Sequence, residues 1–261
     1  MRLAAALVLA PLSISIAYAG GWLWAVLVAL VVVGLYIEWL TIVGARTVAV
    51  VLAGTAALAI AVYFVASGRT GPALLCLGVG LAIVVLLSPE RRLWAGGGFA
   101  YAALAGLTSV LVRFDDTYGF AALIFVLLVV WATDTGGYFA GRALGGPKLW
   151  PKVSPKKTWA GAVGGFVASL AVAIGFEVFV PVRTVPLLVL GASLSMVAQL
   201  GDLFESAVKR HFGVKDSSRI IPGHGGLLDR LDGFVAAVVL AAIFGFLRGG
   251  ADGVGRGLMV W

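Results

Sequence analysis

The chain has little charge and almost no cysteine or histidine. Of its 261 residues 12% are charged, one is cysteine and two are histidine, against 61% hydrophobic residues, and the mean hydropathy is +1.07. A compact soluble domain needs polar side chains to cover its surface, so this scarcity excludes one and requires a lipid bilayer. The lone Cys76 lies in an apolar run, where it suits a small buried hydrophobe better than a reactive thiol, and one cysteine makes no intrachain disulfide. There is no HExxH helix, no Cys/His zinc spacing and no glycine loop ending in Lys-Ser/Thr. A Ser-His-Asp triad would need His211 or His224 in a role that nothing else in the sequence supports. The net charge of +7 does not imply nucleic acid. The cations are scattered in short segments, with no basic helix face and no interleaved aromatics for base stacking.

What is abundant is long apolar sequence. A spanning helix needs about 20 mostly apolar residues, and polar or Gly/Pro breaks divide the chain into about nine such stretches. They run roughly over 3–19, 21–43, 46–66, 70–88, 94–112, 117–140, 157–180, 184–210 and 229–248. The expected fold is therefore an all-α polytopic membrane protein with no soluble domain. It forms a single membrane domain over 1–261, with N-terminal helices over about 1–113 and the chemistry-bearing helices and loops over about 114–261. The first twenty residues imitate a signal peptide, with Arg2, an apolar stretch and small residues at "AYAG". They are expected to remain as the first membrane helix. No fixed-period repeat is present, and "AGGGFAYAALAG" suits close helix packing.

If the segments between spans alternate sides, fourteen of the 19 Lys and Arg fall on the side of Arg2, Arg46, Arg91, Arg92 and the two large polar loops, at about 141–157 and 211–228. The positive-inside rule makes that side cytoplasmic, together with the N-terminus.

An ionisable residue beside a long apolar run is costly in lipid and calls for a functional reading. Four clusters qualify. In "DTGGYFAGR", Asp134 ends an apolar run, and Gly136, Gly137 and Gly141 leave the backbone approachable; a helix end with interfacial Tyr138 and snorkelling Arg142 is the plainer alternative. In "KLWPKVSPKKTWAG", Lys148, Lys152, Lys156 and Lys157 precede an apolar helix that Ser154 would cap and Pro155 would begin, so that lysines and backbone N–H groups could face an anion. Ordinary positive-inside charge explains the same lysines. In "QLGDLFESAVKR", Asp202, then Glu205 or Ser206, then Lys209 share one helical face, as a site or as a structural ion pair. In "KDSSRIIPGHGGLLDRLDG", Pro222, Gly223, Gly225 and Gly226 form a tight loop, and Asp229 and Asp232 stand one turn apart at the start of the last span. Two such aspartates facing another acidic helix invite a hard cation completed by water and phosphates. His224 as an ordinary loop residue, and the aspartates as helix N-terminal charges, are the bland alternatives.

The stretch "SAVKRHFGVKDSSRIIPGHGGLLDRLD", 206–232, resembles the signature of the phosphatidate cytidylyltransferase family, the CDP-diacylglycerol synthases. "DTGGYFAGR", "SPKKTWAG" and "GDLFES" are similar to further motifs of that family, so the likeness is detailed over roughly 130–235 and rests on hydropathy before it. Ala160 stands where the family pattern has Glu, so no carboxylate role carries over there. The resemblance implies transfer of the cytidylyl group of CTP to phosphatidic acid, giving CDP-diacylglycerol and pyrophosphate in phospholipid biosynthesis. It implies a helical, homodimeric, Mg²⁺-dependent enzyme of the bacterial inner membrane, with Mg²⁺ acting alone or beside a second cation. Carried over by position, Asp202 and Asp229 are the metal ligands, and Asp202, Lys209, Asp229 and Asp232 the catalytic set. Asp134, Tyr138, Ser154, Lys156, Lys157, Glu205, Ser206, Arg210, Lys215, Asp216, His224, Gly225, Gly226 and Arg230 would contact substrate. Two rivals stand beside this reading. A CTP-dependent polyprenol or phytol kinase would release CDP instead of pyrophosphate. A secondary transporter would need an inverted pair of broken helices, which the sequence lacks.

Overall fold

In hydrocarbon a backbone must satisfy its own N–H and C=O groups, so each apolar stretch folds as a helix. The computed structural model describes residues 2–178, 180, 182–218 and 225–261, with residues 2–10 described as backbone. Among them, nine long helices follow the nine expected stretches: α1 (Arg2–Ala19), α2 (Gly21–Ile42), α3 (Val48–Ala66), α4 (Thr70–Leu86), α5 (Arg92–Arg113), α6 (Gly119–Leu144), α7 (Trp159–Phe176), α8 (Thr184–His211) and α9 (Leu228–Gly249). Seven of these, α2, α3 and α5 to α9, are long and apolar enough to cross a membrane by length and composition. The helix α4 is shorter, at 17 residues.

Local chemistry sets the boundaries. Thr47 caps α3 by accepting from Val50 N at 3.3 Å. Asp115 accepts from Thr117 N and Tyr118 N, at 3.0 and 2.7 Å, just before α6. Side-chain oxygens of this kind satisfy N–H groups that a helix start leaves without partners. Gly145, at φ 63°, ends α6 in the left-handed region that glycine enters without strain.

Two regions depart from expectation. The loop after α6 begins at Gly145 and not near 141, so Asp134 lies well inside the helix. That loop also holds a hairpin in which β1 (Lys148–Trp150) pairs antiparallel with β2 (Ser154–Thr158), Lys148 opposite Thr158 and Trp150 opposite Ser154. Ser154 and Pro155 are therefore strand residues, and Thr158 caps α7, its Oγ1 accepting from Gly161 N at 3.1 Å. A two-stranded ribbon is all edge, so Pro155 withholds no needed donor there. At the C-terminus a short 3-10 turn (Ala251–Gly253) leads into α10 (Val254–Met259). Arg248 reaches back to donate to Gly257 O and Val260 O and lies 3.6 Å from the Trp261 ring centroid.

Contacts between turns sort the two ends of the bundle. At one end Arg113 donates to Ala17 O and Tyr18 O, Arg256 N donates to Asp115 Oδ2 and Trp22 stacks on Tyr63. At the other, Trp39 Nε1 donates to Trp94 O at 2.9 Å, Trp94 packs on His211 and Phe212, and Lys157 pairs with Asp202. The β-hairpin and the loop between α8 and α9 thus share one end, as the two helices between them, α7 and α8, require. The core is apolar, and a glycine is placed where a ring must approach: a Cβ on Gly98 would overlap the Trp39 indole.

Candidate active site

At the hairpin end, α6, α7, α8, α9 and β2 enclose a cavity of about 760 Å³. Four carboxylates, Asp134, Asp202, Asp229 and Asp232, line it together with five cations, Arg142, Lys156, Lys157, Lys209 and Arg230. The helices supply them by simple periodicity. Asp202 and Lys209 stand seven residues apart on α8, and Asp229 and Asp232 three apart on α9, so each pair shares one face.

Packing of α6 on α7 forms the opposite wall. A Cβ on Gly136 would meet Ala168 Cβ at 2.6 Å and Gly164 O at 2.9 Å, and one on Gly141 would meet Thr158 Oγ1 at 3.1 Å. These glycines let two helices touch backbone to backbone. Gly137 and Gly141 also line the cavity, so close helix approach and open space coincide along one seam. The hydroxyls of buried Thr133 and Ser195 are hydrogen-bonded at 2.8 Å and tie α6 to α8 at the cavity wall.

The charges are paired in two groups. Lys157, from β2, bridges to Asp202 Oδ2, while Ser206 Oγ donates to Asp202 Oδ1 at 3.4 Å. Asp134 and Asp232 lie within electrostatic reach of Asp202 and of Lys157. In the second group buried Lys209 sits between two carboxylates, its Nζ 2.6 Å from Glu205 Oε2 and 2.5 Å from Asp229 Oδ1. Glu205 is 1% exposed and, among the described residues, has that ammonium as its partner. Asp229 Oδ2 accepts from Ser217 N and Gly226 N, both at 2.9 Å, and from Ser217 Oγ at 3.0 Å.

Several residues named from sequence lie outside the cavity wall. Glu205 and Ser206 stand behind it and brace Lys209 and Asp202. Arg210 donates to Val214 O at 3.2 Å, tying off the end of α8. Ser154 belongs to the hairpin, and Lys215 and Asp216 are exposed on the following loop. Gly225 has φ 81°, and a Cβ there would come within 2.8 Å of Asp229 Oδ2. Gly225 and Gly226 therefore serve the Asp229 carboxylate directly. His224, Pro222 and Gly223 lie outside the described residues. Tyr138 is in the wall, its hydroxyl accepting from Arg142 Nη1 at 2.9 Å.

The sequence reading missed Glu38 and Ser217. Glu38, 1% exposed in α2, accepts at Oε1 from Leu227 N and Ser218 Oγ, at 2.8 and 2.6 Å. Its Oε2 accepts from Leu228 N and Ser217 Oγ, at 2.8 and 2.9 Å. The signal was present: a carboxylate deep in "VVVGLYIEWLTIV" is the kind of intramembrane charge that needs a reason.

Among the described residues no three Asp, Glu, His or Cys side chains form a ready-made metal cage. Mg²⁺ does not require one, because it binds through one or two carboxylates and takes its other ligands from water and phosphate. Asp202 and Asp229 both face the cavity, and among the described residues Asp229 Oδ1 has the Lys209 ammonium as its donor. The donor set fits a hard cation accompanied by an anion.

A family model described as the cytidylyltransferase family matches residues 1–247. A phosphatidate cytidylyltransferase of Brucella suis biovar 1 (strain 1330) is 50% identical over 182 residues, 66% of this chain and 66% of the relative. Proteins of the same name from Staphylococcus saprophyticus and Bacillus subtilis (strain 168) are 44% and 48% identical, over 60% and 48% of this chain and 62% and 47% of their own lengths. The matched stretch thus spans a little under two thirds, or less, of each relative's length. With the family match running over nearly all of its residues, the chain belongs to the cytidylyltransferase family.

Proposed function

We propose that the protein transfers the cytidylyl group of CTP to phosphatidic acid, forming CDP-diacylglycerol and pyrophosphate in phospholipid biosynthesis. The observation that carries this reading is the cavity at one end of an apolar bundle in which four carboxylates interleave with five cations. Such a mixture suits two phosphate-bearing substrates and a divalent cation, and the relatives' shared name specifies the reaction.

The chemical difficulty is electrostatic. A phosphate oxygen of the lipid attacks the α-phosphorus of CTP; a new P–O–P bond forms, the bond to the β-phosphate bridging oxygen breaks, and pyrophosphate leaves with that electron pair. The nucleophile is ionised near neutral pH, so no strong general base is needed. Bringing two anions together is the work, and Lys156, Lys157, Lys209, Arg142 and Arg230 supply positive charge on the cavity wall. Lys157 and Lys209, paired with Asp202 and Asp229, would turn to phosphate when substrate binds, and the two carboxylates would then hold a cation. Mg²⁺ held by Asp202 and Asp229, with Asp232 beside them, would neutralise triphosphate charge and stabilise the pyrophosphate leaving group. Tyr138 and Arg142, exposed on α6 at the cavity, suit a lipid headgroup whose tails remain in the bilayer. The reading extends to a homodimer in a bacterial inner membrane with this end facing the cytoplasm.

The test combines purified protein, phosphatidic acid, Mg²⁺ and α-labelled CTP. Label should enter the lipid with one pyrophosphate released per transfer, and chelation of Mg²⁺ should abolish this until the metal is restored. Transfer of label from γ-labelled CTP instead would identify a lipid kinase and overturn the proposal.

A further inference from the structure

Glu38 lies 179 residues from Ser217 and 190 from Leu228 in sequence, yet each of its oxygens takes two donors. Two are the N–H groups of Leu227 and Leu228, which the start of α9 leaves without intrahelical partners. No side chain of α9's own N-terminus caps them. The other two are the hydroxyls of Ser217 and Ser218. Ser217 also holds Asp229 through its N–H at 2.9 Å, and its single hydroxyl hydrogen is shared between Glu38 Oε2 and Asp229 Oδ2, which lie 2.9 and 3.0 Å from Oγ. Gly226 fits between these groups because it has no side chain: a Cβ there would overlap Ser217 Oγ and stand 2.5 Å from Glu38 Oε2. A buried carboxylate that accepts four hydrogen bonds is far more rigidly held than a surface one.

We infer that Glu38 is a positioning residue for the transfer reaction: from α2 it fixes Ser217 and the first turn of α9, and through them the orientation of Asp229 in the cavity. The inference rests on the proposed cytidylyl transfer for its kinetic consequence, while the anchoring itself is independent of that reading. Glu38 does not line the cavity, so its removal should leave nucleotide contacts in place and disturb the aim of Asp229.

Glu38→Gln is nearly isosteric, but its amide nitrogen would face either Leu227 N or Leu228 N, and neither can turn round to accept. Three variants form the experiment: Glu38→Gln, Ser217→Ala and the double variant, with Tyr36→Phe as a reference for a packing defect in the same helix, since it loses a buried hydrogen bond to Val50 O. Turnover is measured per folded protein, with the folded amount taken from thermal unfolding in detergent. Expected are a roughly 30-fold fall in kcat for Glu38→Gln with KM for CTP within about threefold, a fall of roughly fivefold for Ser217→Ala, and a double variant no worse than Glu38→Gln. Tyr36→Phe should turn over as wild type. Without metal or nucleotide, tryptic cleavage after the exposed Lys215 should be faster in Glu38→Gln and in Ser217→Ala. Wild-type kcat per folded molecule, additive losses, or an unchanged cleavage rate would each overturn the inference. If Glu38→Gln yields no folded protein, the same criteria for kcat and cleavage applied to Ser217→Ala decide. Absence of lipid labelling by the wild type would sink the proposed reaction alone, and the cleavage rates would still test the anchor.

Discussion

Asp229 and Lys209 show how much of this site is decided by single atoms. Asp229 presents one oxygen to the Lys209 ammonium and the other to the N–H groups of Ser217 and Gly226 and to the Ser217 hydroxyl, which it shares with Glu38. Asp229→Asn keeps the shape and an acceptor for those N–H groups but removes the charge facing the cavity. Transfer should fall by roughly 100-fold or more while the protein stays folded, checked by lipid labelling beside thermal unfolding; near-normal turnover at saturating Mg²⁺ would remove Asp229 from the metal assignment. Lys209→Met should act differently. It strands Glu205 and Asp229 without their shared cation, and breaking a buried ion pair on one side costs about 3–5 kcal/mol. A lower unfolding temperature in the same detergent is expected, and an unchanged one would show the pair to be energetically idle. Both residues were legible in the sequence as charges beside lipid. Their being partners was not, because twenty residues and a helix boundary separate them.

At the scale of elements, the α6–α7 seam and the hairpin govern the cavity's width. A Cβ on Gly164 would overlap Ala140 Cβ, so Gly164→Leu should wedge the helices apart at a cost of about 1–3 kcal/mol. Because Asp134 and Lys157 approach from the two sides of that seam, the variant should also raise KM for CTP, measured beside the unfolding temperature. A stable variant with unchanged KM would show that the seam does not shape the cavity. Thr158→Ala removes the cap of α7 and should cost about 1 kcal/mol. The hairpin was illegible as such: "KLWPKVSPKKT" has too few alternating apolar residues to announce a strand, and Ser-Pro before an apolar run reads more naturally as a helix start. Backbone pairing across a tight turn won over that local preference. The glycines of "DTGGYFAGR" stand out in the sequence for their bare backbone, but only the partner helix reveals that they face glycines and alanines of α7.

For the whole molecule, the alternation of segments between two ends is carried by contacts such as Arg113 to Ala17 at one end and Trp39 to Trp94 at the other. Which end faces the cytoplasm is a charge argument and can be tested directly. In a Cys76→Ser background, Asp252→Cys should react with a membrane-impermeant maleimide in intact cells, and Lys152→Cys only after permeabilisation. The reverse pattern would invert the protein and separate the cavity from the cytoplasmic nucleotide pool.

The sequence by itself determined the number of long helices, their approximate ends and the membrane as solvent, because hydrophobic length is a local property that lipid converts directly into helix. It also marked most of the charged residues that meet in the cavity, since charge beside a spanning helix is conspicuous. Only the tertiary structure decided which carboxylate meets which lysine, that the hairpin delivers Lys157 to Asp202, and that Glu38 in the second helix holds the start of the ninth. Those pairings depend on how each helix is rotated and how deep it sits against its neighbours. Packing across the whole bundle sets both, and no short window of residues encodes them.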